Sequence, residues 1–252
     1  MAVKKNGPSS DISVPLFESV MGEIERCFRT KRLRPGSKLP PERILAEEFG
    51  VSRHTLREVL KALNLFGIIR SRAGDGTYVQ RSLAGLVAKA IHLSALLEDV
   101  TFMDAFDTRV AIEPALARAA ALNAGREHLE VLRGEIHGME LALGDTQKYT
   151  RHEVAFHEGI ATAADSPILK SVMMAVAGLL LEARLTLTYE RTDRDDLLLH
   201  VRILEAIEAR DPDGAHAAMA HHLNVNRKFY EAWFRRQKRE AKTGDELTAN
   251  AV

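Results

Sequence analysis

The 252-residue chain has a single cysteine, Cys27. That excludes a disulfide framework and any zinc cluster built on cysteine. It fits a reducing, cytoplasmic compartment. No run of about 18 apolar residues occurs, so no membrane span is expected. With 16 Gly and 8 Pro the sequence is neither low-complexity nor collagen-like. The opening stretch MAVKKNGPSSD has two lysines with no apolar run behind them, which is not the pattern of a signal peptide. Residues 1–13 read as a disordered lead. Net charge is missing too, since 35 Lys+Arg balance 35 Asp+Glu.

What is present points to a folded, soluble chain of two domains. Hydrophobic residues make up 46% and charged residues 28%, enough apolar material for packed cores. The neutral total hides a split. Residues 1–82 hold 15 basic and 9 acidic side chains, whereas residues 83–252 hold 20 and 26. A basic module that meets a polyanion is thus joined to an acidic module with another task. Nine of the ten histidines lie in the acidic part.

In the basic module, Leu16, Val20, Ile24 and Phe28 recur at helical spacing and predict a first helix over 15–30, with Cys27 as a small core residue. Pro35-Gly36 marks a turn. A second helix is expected over 41–49, where Pro41 is tolerated at the start and Gly50 ends it. Ser52 is a good N-cap for a third helix over 53–66, stopped by Gly67. Leu56, Val59, Leu60 and Leu63 form its apolar face. Arg53, His54 and Arg57 fall outside that face. The period then changes: residues 68–72 and 77–80 flank the glycine-rich tip Ala73-Gly74-Asp75-Gly76 and read as a hairpin. Three helices and a hairpin wing make a winged helix-turn-helix.

This arrangement suits duplex DNA. The N-terminal end of a recognition helix can enter the major groove. Its free amides favour phosphate. Arginine matches the O6/N7 edge of guanine, and threonine can contact base or phosphate. Arg43, at the start of the second helix, is placed for backbone or base. One arginine alone would read as a solvated helix face; the constellation of fold, charge and wing favours DNA.

The stretch GSKLPPERILAEEFGVSRHTLREVLKALNLFGIIRSRAGDGTYV resembles the DNA-binding domain of the GntR family of bacterial transcription regulators. The matching residues include Gly36, Leu39-Pro40, Glu42-Arg43, Leu45-Ala46, Val51-Ser52-Arg53, Leu56-Arg57-Glu58, Leu63, Gly67 and Gly74-x-Gly76. The resemblance implies a homodimer on a palindromic operator in double-stranded DNA. It also implies DNA contacts from Arg43, Arg53, Thr55 and Arg57, and a wing tip, Gly74 to Thr77, in the minor groove. The candidate DNA-binding set is therefore Arg43, Ser52, Arg53, His54, Thr55 and Arg57, with Gly74, Gly76 and Thr77 in the wing. His54 and Val59 depart from the commonest family residues.

After a short linker at Arg81-Ser82, the acidic module shows helical patterns near 83–97, 101–123, 126–144, 147–164, 167–190, 193–210 and 212–238. Short connections between amphipathic helices predict an antiparallel all-α bundle of six or seven helices over 81–238. Residues 239–252 are polar and read as a flexible tail. The expected fold is mainly α throughout.

Glu153 and His157 are four apart and share a helix face. His200 and His222 lie on two further helices. Bundle cores build metal sites from facing helices in this way. One carboxylate and three imidazoles suit zinc or another first-row divalent ion. Spacing alone is a weak signal, because a lone histidine is more often a surface or core residue. The run His152-Glu153-Val154-Ala155-Phe156-His157 is not the HExxH motif of zinc proteases, since Phe156 stands where that motif has its second histidine.

This module resembles the FCD ligand-binding domain of the FadR subfamily. The matching pieces are Arg109-x-x-x-Glu113, Glu153-x-x-Phe156-His157, His200-x-x-Ile203-x-x-Ala206-Ile207 and Ala217-x-Met219-x-x-His222-Leu223. The resemblance implies a divalent metal, zinc first with nickel or manganese as options, held by Glu153, His157, His200 and His222. Glu153 replaces the usual Asp and is one methylene longer. Ser166 stands where Asn is common. Arg109 has two readings that do not exclude each other: an ion pair with Glu113, or a bidentate contact to the carboxylate of an effector. The implied effector is a small organic or sugar acid.

The leading function is a metabolite-responsive transcription regulator, a repressor as in most of the subfamily. The rival class is a metal-dependent enzyme acting on a small carboxylate in the bundle. It leaves the DNA module unexplained, and no general base stands out beyond the metal ligands. A bundle whose histidines are purely structural is the third option.

Overall fold

A computed structural model describes residues 14–81, 84–186 and 194–249. The lead read over 1–13, Ser82 of the linker, the end of the helix expected over 167–190 and residues 250–252 lie outside the described residues. The chain divides into two compact units, between Leu86 and Val87.

The first unit contains α1 (Val14–Arg29), α2 (Glu42–Phe49), α3 (Arg53–Leu65) and the antiparallel strands β1 (Ile69–Arg72) and β2 (Gly76–Val79). The winged helix-turn-helix forms as the apolar periods predict. Val20 and Ile24 of α1, Leu45 and Ala46 of α2, and Leu56, Val59 and Leu63 of α3 make one buried cluster with Ile69. Cys27 is buried with Leu33 and Val79, in its expected core role. Gly50 closes α2 in a left-handed conformation at φ 66°, which costs little without a Cβ.

The wing has one addition. The segment Ser37 to Leu39 runs beside β2: Val79 N–H donates to Ser37 O at 2.9 Å, and Leu39 N–H to Thr77 O at 2.7 Å. The hairpin therefore has a third, short edge. The prolines and glycine around this segment hide it from a reading based on alternation.

The second unit is all helical: α4 (Ala84–Leu97), α5 (Phe102–Asn123), α6 (Arg126–Leu141), α7 (Thr146–Ala163), α8 (Pro167–Thr186), α9 (Arg194–Glu208) and α10 (Pro212–Ala249). α5 is the central element, packing against α7, α8, α9 and α10. Its sequence explains this. Ala105, Ala117, Ala120 and Ala121 are buried beside Phe106 and Leu116, so small residues let neighbours approach from several sides. α6 and α7 pack on each other, and α9 packs on both α6 and α10. Short connections at 142–145, 164–166 and 209–211 return each helix along the one before it.

α10 continues to Ala249, past the boundary at 238 and into the stretch read as a tail. The reason is local propensity: Arg, Gln, Lys, Glu and Ala between 235 and 242 are strong helix formers. No described helix is long and apolar enough to cross a membrane.

Candidate metal centre and nucleic-acid interface

In the first unit, Ser52 caps α3. Its Oγ accepts the Thr55 backbone N–H at 3.0 Å and lies 2.9 Å from Thr55 Oγ1. This cap fixes where the recognition helix begins, and so which residues head it. Arg53, His54 and Arg57 are exposed there, and Thr55 is half-buried. Arg57 donates from Nε at 3.1 Å and Nη2 at 2.8 Å to Glu42 Oε2 on α2. Arg43 donates from Nη1 to Glu47 Oε1 at 2.8 Å. Exposed pairs of this kind add little stability, but they hold two long side chains in place. Arg53 has no ion pair or hydrogen bond from its guanidinium among the described residues, which leaves its fork open.

At the wing, Gly74 is exposed at φ 75°. Gly76 sits at φ 126°, and a Cβ there would stand 2.5 Å from Lys38 Cε. The positive φ favours glycine at this position, while the flexible end of Lys38 could move aside for a Cβ. Thr77 Oγ1 lies 3.0 Å from Ser71 Oγ across the hairpin. Four residues outside the candidate set, Asp75, Tyr78, Lys38 and Arg72, tie the tip together. Asp75 Oδ1 accepts the Tyr78 hydroxyl at 2.8 Å and lies 3.5 Å from Lys38 Nζ. The Arg72 guanidinium stacks 4.8 Å from the Tyr78 ring centre. The Tyr78 hydroxyl, with Lys38 and Arg72 nearby, holds the Asp75 carboxyl below its usual range. The ionised acid at the tip of the wing is thereby paired locally with Lys38 and Arg72. The only sequence signal for this was an acidic residue flanked by basic ones.

In the second unit, Glu153 and His157 lie on α7, His200 on α9 and His222 on α10. All four are buried, at 2%, 3%, 0% and 0% exposure. One potential ligand atom from each lies within 4.8 Å of the others. The ring centres of His200 and His222 are 4.2 Å apart, and that of His157 is 5.2 Å from His222. Residues up to 69 positions apart in sequence are thus gathered at one point in the bundle core.

Protein groups address one nitrogen of each ring. His200 Nδ1 lies 2.8 Å from the Asp196 carbonyl oxygen and donates to it, one turn earlier on α9. Tyr149 of α7 donates its hydroxyl to Asp196 Oδ2 at 3.0 Å, steadying that turn. Asn226 Nδ2, one turn beyond His222, lies 3.4 Å from His222 Nε2. His157 Nδ1 lies 2.5 Å from Glu113 Oε2 on α5, in contact but bent away from regular hydrogen-bond geometry.

The donor set fits a divalent ion. Buried His157 Nε2 and His200 Nε2 have no hydrogen-bond partner, and buried polar atoms are seldom left so. An imidazole with one N–H engaged by a carbonyl presents the lone pair of its other nitrogen. Burial pushes the His157 pKa down, with Glu113 opposing it, and so favours the neutral form that binds metal.

Arg109 is buried and its Nε donates to Glu113 Oε1, the ion pair foreseen from the i,i+4 spacing. Burial alone would raise the Glu113 carboxyl. The Arg109 charge, with the His157 ring in contact, outweighs it and brings the pKa down to about 2. Glu113 is the residue that sequence reasoning left as a mere ion-pair partner. Its contact with His157 crosses from α5 to α7 and has no signature in spacing. His221 is exposed and points away from the cluster that holds its neighbour His222. His152 is paired with Glu135 at 2.8 Å, and His128 Nδ1 accepts the Gly125 N–H at the start of α6.

Comparisons with known proteins agree with this division of labour. Residues 16–79 match the model of the bacterial regulatory proteins of the gntR family, and residues 104–225 match the FCD domain. The HTH-type transcriptional repressor NanR of Citrobacter rodentium (strain ICC168) is 30% identical over 234 residues, covering 89% of each chain. The NanR repressor of Escherichia coli (strain K12) is 29% identical over 217 residues, covering 83% of this chain and 82% of that one. A solved GntR structure from Streptococcus agalactiae superposes with a TM-score of 0.65 at 26% identity, covering 84% of this chain and 99% of that one. These relatives are transcription regulators and not enzymes, which removes the metal-dependent enzyme as a rival reading. The chain is a DNA-binding transcription regulator of the GntR family, of the FadR type that joins a winged helix-turn-helix to an FCD domain.

Proposed function

We propose that this regulator is a repressor that binds a palindromic operator as a homodimer and is released by a small organic or sugar acid. In this reading it works in the cytoplasm beside the chromosome. The observation that carries the proposal is the buried convergence of Glu153, His157, His200 and His222. These residues would hold a divalent ion, zinc first, with nickel and manganese as alternatives. Such an ion, when bound with an open position, supplies Lewis acidity for carboxylate and hydroxyl groups. The chain's own part is to orient the imidazoles, His200 through the Asp196 carbonyl and His157 through Glu113.

Arg109 remains the candidate for an effector carboxylate, with Glu113 as its partner in the absence of one. The effector must favour one arrangement of the protein over another to change DNA affinity. The homodimer is supported by Leu93, Leu96 and Leu97 of α4, which are 57%, 65% and 77% exposed. Apolar side chains grouped this way suit a second copy of the chain.

The test is thermal unfolding of metal-stripped and zinc-loaded protein against a panel of organic and sugar acids, followed by operator binding. Whatever binds the native state raises its melting temperature by mass action. A zinc-dependent rise with one acid, absent in His200→Ala and accompanied by loss of operator binding, is the expected result. No rise from zinc, nickel, manganese or any acid would leave the four residues structural and sink the sensor reading.

A further inference from the structure

The second unit holds a buried polar relay that the metal reading does not by itself require. It runs from Arg109 to Glu113 within α5 and from Glu113 to His157 on α7. The three side chains are 4%, 2% and 3% exposed. Bulk solvent therefore does not reach them. Each Glu113 oxygen faces a different partner: Oε1 takes Arg109 Nε, and Oε2 touches His157 Nδ1 at 2.5 Å. A carboxylate beside one imidazole nitrogen keeps the proton there and leaves the other nitrogen basic. At His157 that other nitrogen is Nε2, which is buried without a hydrogen-bond partner.

We propose that Glu113 is the positioning residue of the metal centre: it sets the tautomer and ring orientation of His157, and Arg109 anchors it for that task. The inference rests on the metal reading above and deepens it. Glu113 touches no ion itself and acts through His157. His200 is served differently, by the backbone carbonyl of Asp196, which no side-chain substitution removes. His157, by contrast, meets a side chain from another helix, Glu113 of α5.

A purely structural Glu113, present only to neutralise buried Arg109, makes a different prediction. Two variants separate the cases. Glu113→Gln keeps shape and an acceptor but removes the charge. Arg109→Met/Glu113→Leu removes cation and acceptor together, so no unpaired charge is left buried. Metal-stripped full-length protein is titrated with Co²⁺, followed by visible absorption, and with Zn²⁺ against a chromophoric chelator. The His157 tautomer is read in the metal-free protein from long-range ¹H–¹⁵N correlations.

The expected result is Nδ1–H at His157 in the parent chain and a redistributed tautomer in the double variant. Metal affinity should fall by about 10–100-fold in both variants, and Glu113→Asp should recover part of it. Parent-like affinity in both variants, alongside tight binding by the parent, would overturn the inference and leave the metal centre standing. If the parent and His200→Ala titrate alike, the metal centre itself fails and the inference falls with it.

Discussion

Arg53, Arg57 and Arg43 have the same chemistry and are all exposed, yet they stand in different situations. Arg57 is held on Glu42 and Arg43 on Glu47, whereas Arg53 has no such partner. A fork that gives up no internal pair on binding gains the full contact with a base edge. Arg53→Ala is therefore expected to weaken operator binding by between about 5- and 100-fold and to relax base preference at one position. Fluorescence anisotropy with operator and point-changed duplexes measures both. Equal loss on specific and random DNA would assign Arg53 to phosphate instead. At this scale much of the site was legible in the sequence: the arginines at the head of α3, the four candidate ligands and the Arg109–Glu113 pair. Glu113 against His157 and the Asp75–Tyr78–Lys38 cluster were not. Both are meetings between segments whose relative azimuth no local pattern encodes.

Caps decide the ends of elements, and two of them carry predictions. Ser52 satisfies the free Thr55 amide at the start of α3. Ser52→Ala should cost about 1 kcal/mol of stability in the first unit, read by denaturant unfolding. DNA binding should suffer as well, because the turn that presents Arg53 loosens. Thr101 and Asp104 form a reciprocal capping box at the start of α5. The Thr101 hydroxyl, with its backbone N–H, holds the Asp104 carboxyl below its ordinary value. A carboxyl depressed in the folded state stabilises the fold above its unfolded pKa and loses that contribution as pH falls through the folded one. Asp104→Asn should thus lower the melting temperature at neutral pH, and the difference from the parent should shrink below the usual carboxylate range. A gap that stays constant down to acid pH would remove the charge from the explanation. Element types were readable from apolar period and cap residues. The extension of α10 to Ala249 was not, because a polar stretch rich in Lys, Arg and Glu reads equally as tail or as exposed helix.

Over the whole molecule, a basic unit and an acidic unit each enclose a separate buried core. Cores without shared residues unfold separately unless they are coupled. A chelator is expected to lower only the transition of the helical unit in calorimetry, and added zinc to restore it, with about 2.7 kcal/mol gained at about 100 times the dissociation constant. A shift of both transitions together would show that the units unfold as one. The charge split predicts the complementary behaviour toward DNA. Operator affinity should fall by about 10³–10⁵ between about 50 and 200 mM salt if about 6–10 phosphates are contacted, while the zinc affinity proposed for the buried cluster should change little.

Composition, period and cap chemistry are local or additive properties, and they were enough to determine the class of each unit, the order of its elements and the polyanion as partner of the first. The motifs at 36–76 and 109–223 pointed to the family through their resemblance to known members. Only the tertiary structure decided that α5, α7, α9 and α10 bring Glu153, His157, His200 and His222 to one buried point and set Glu113 behind His157. A helix pattern states which face is apolar, but the rotation and height of one helix against the next are set by how side chains interdigitate across several helices at once.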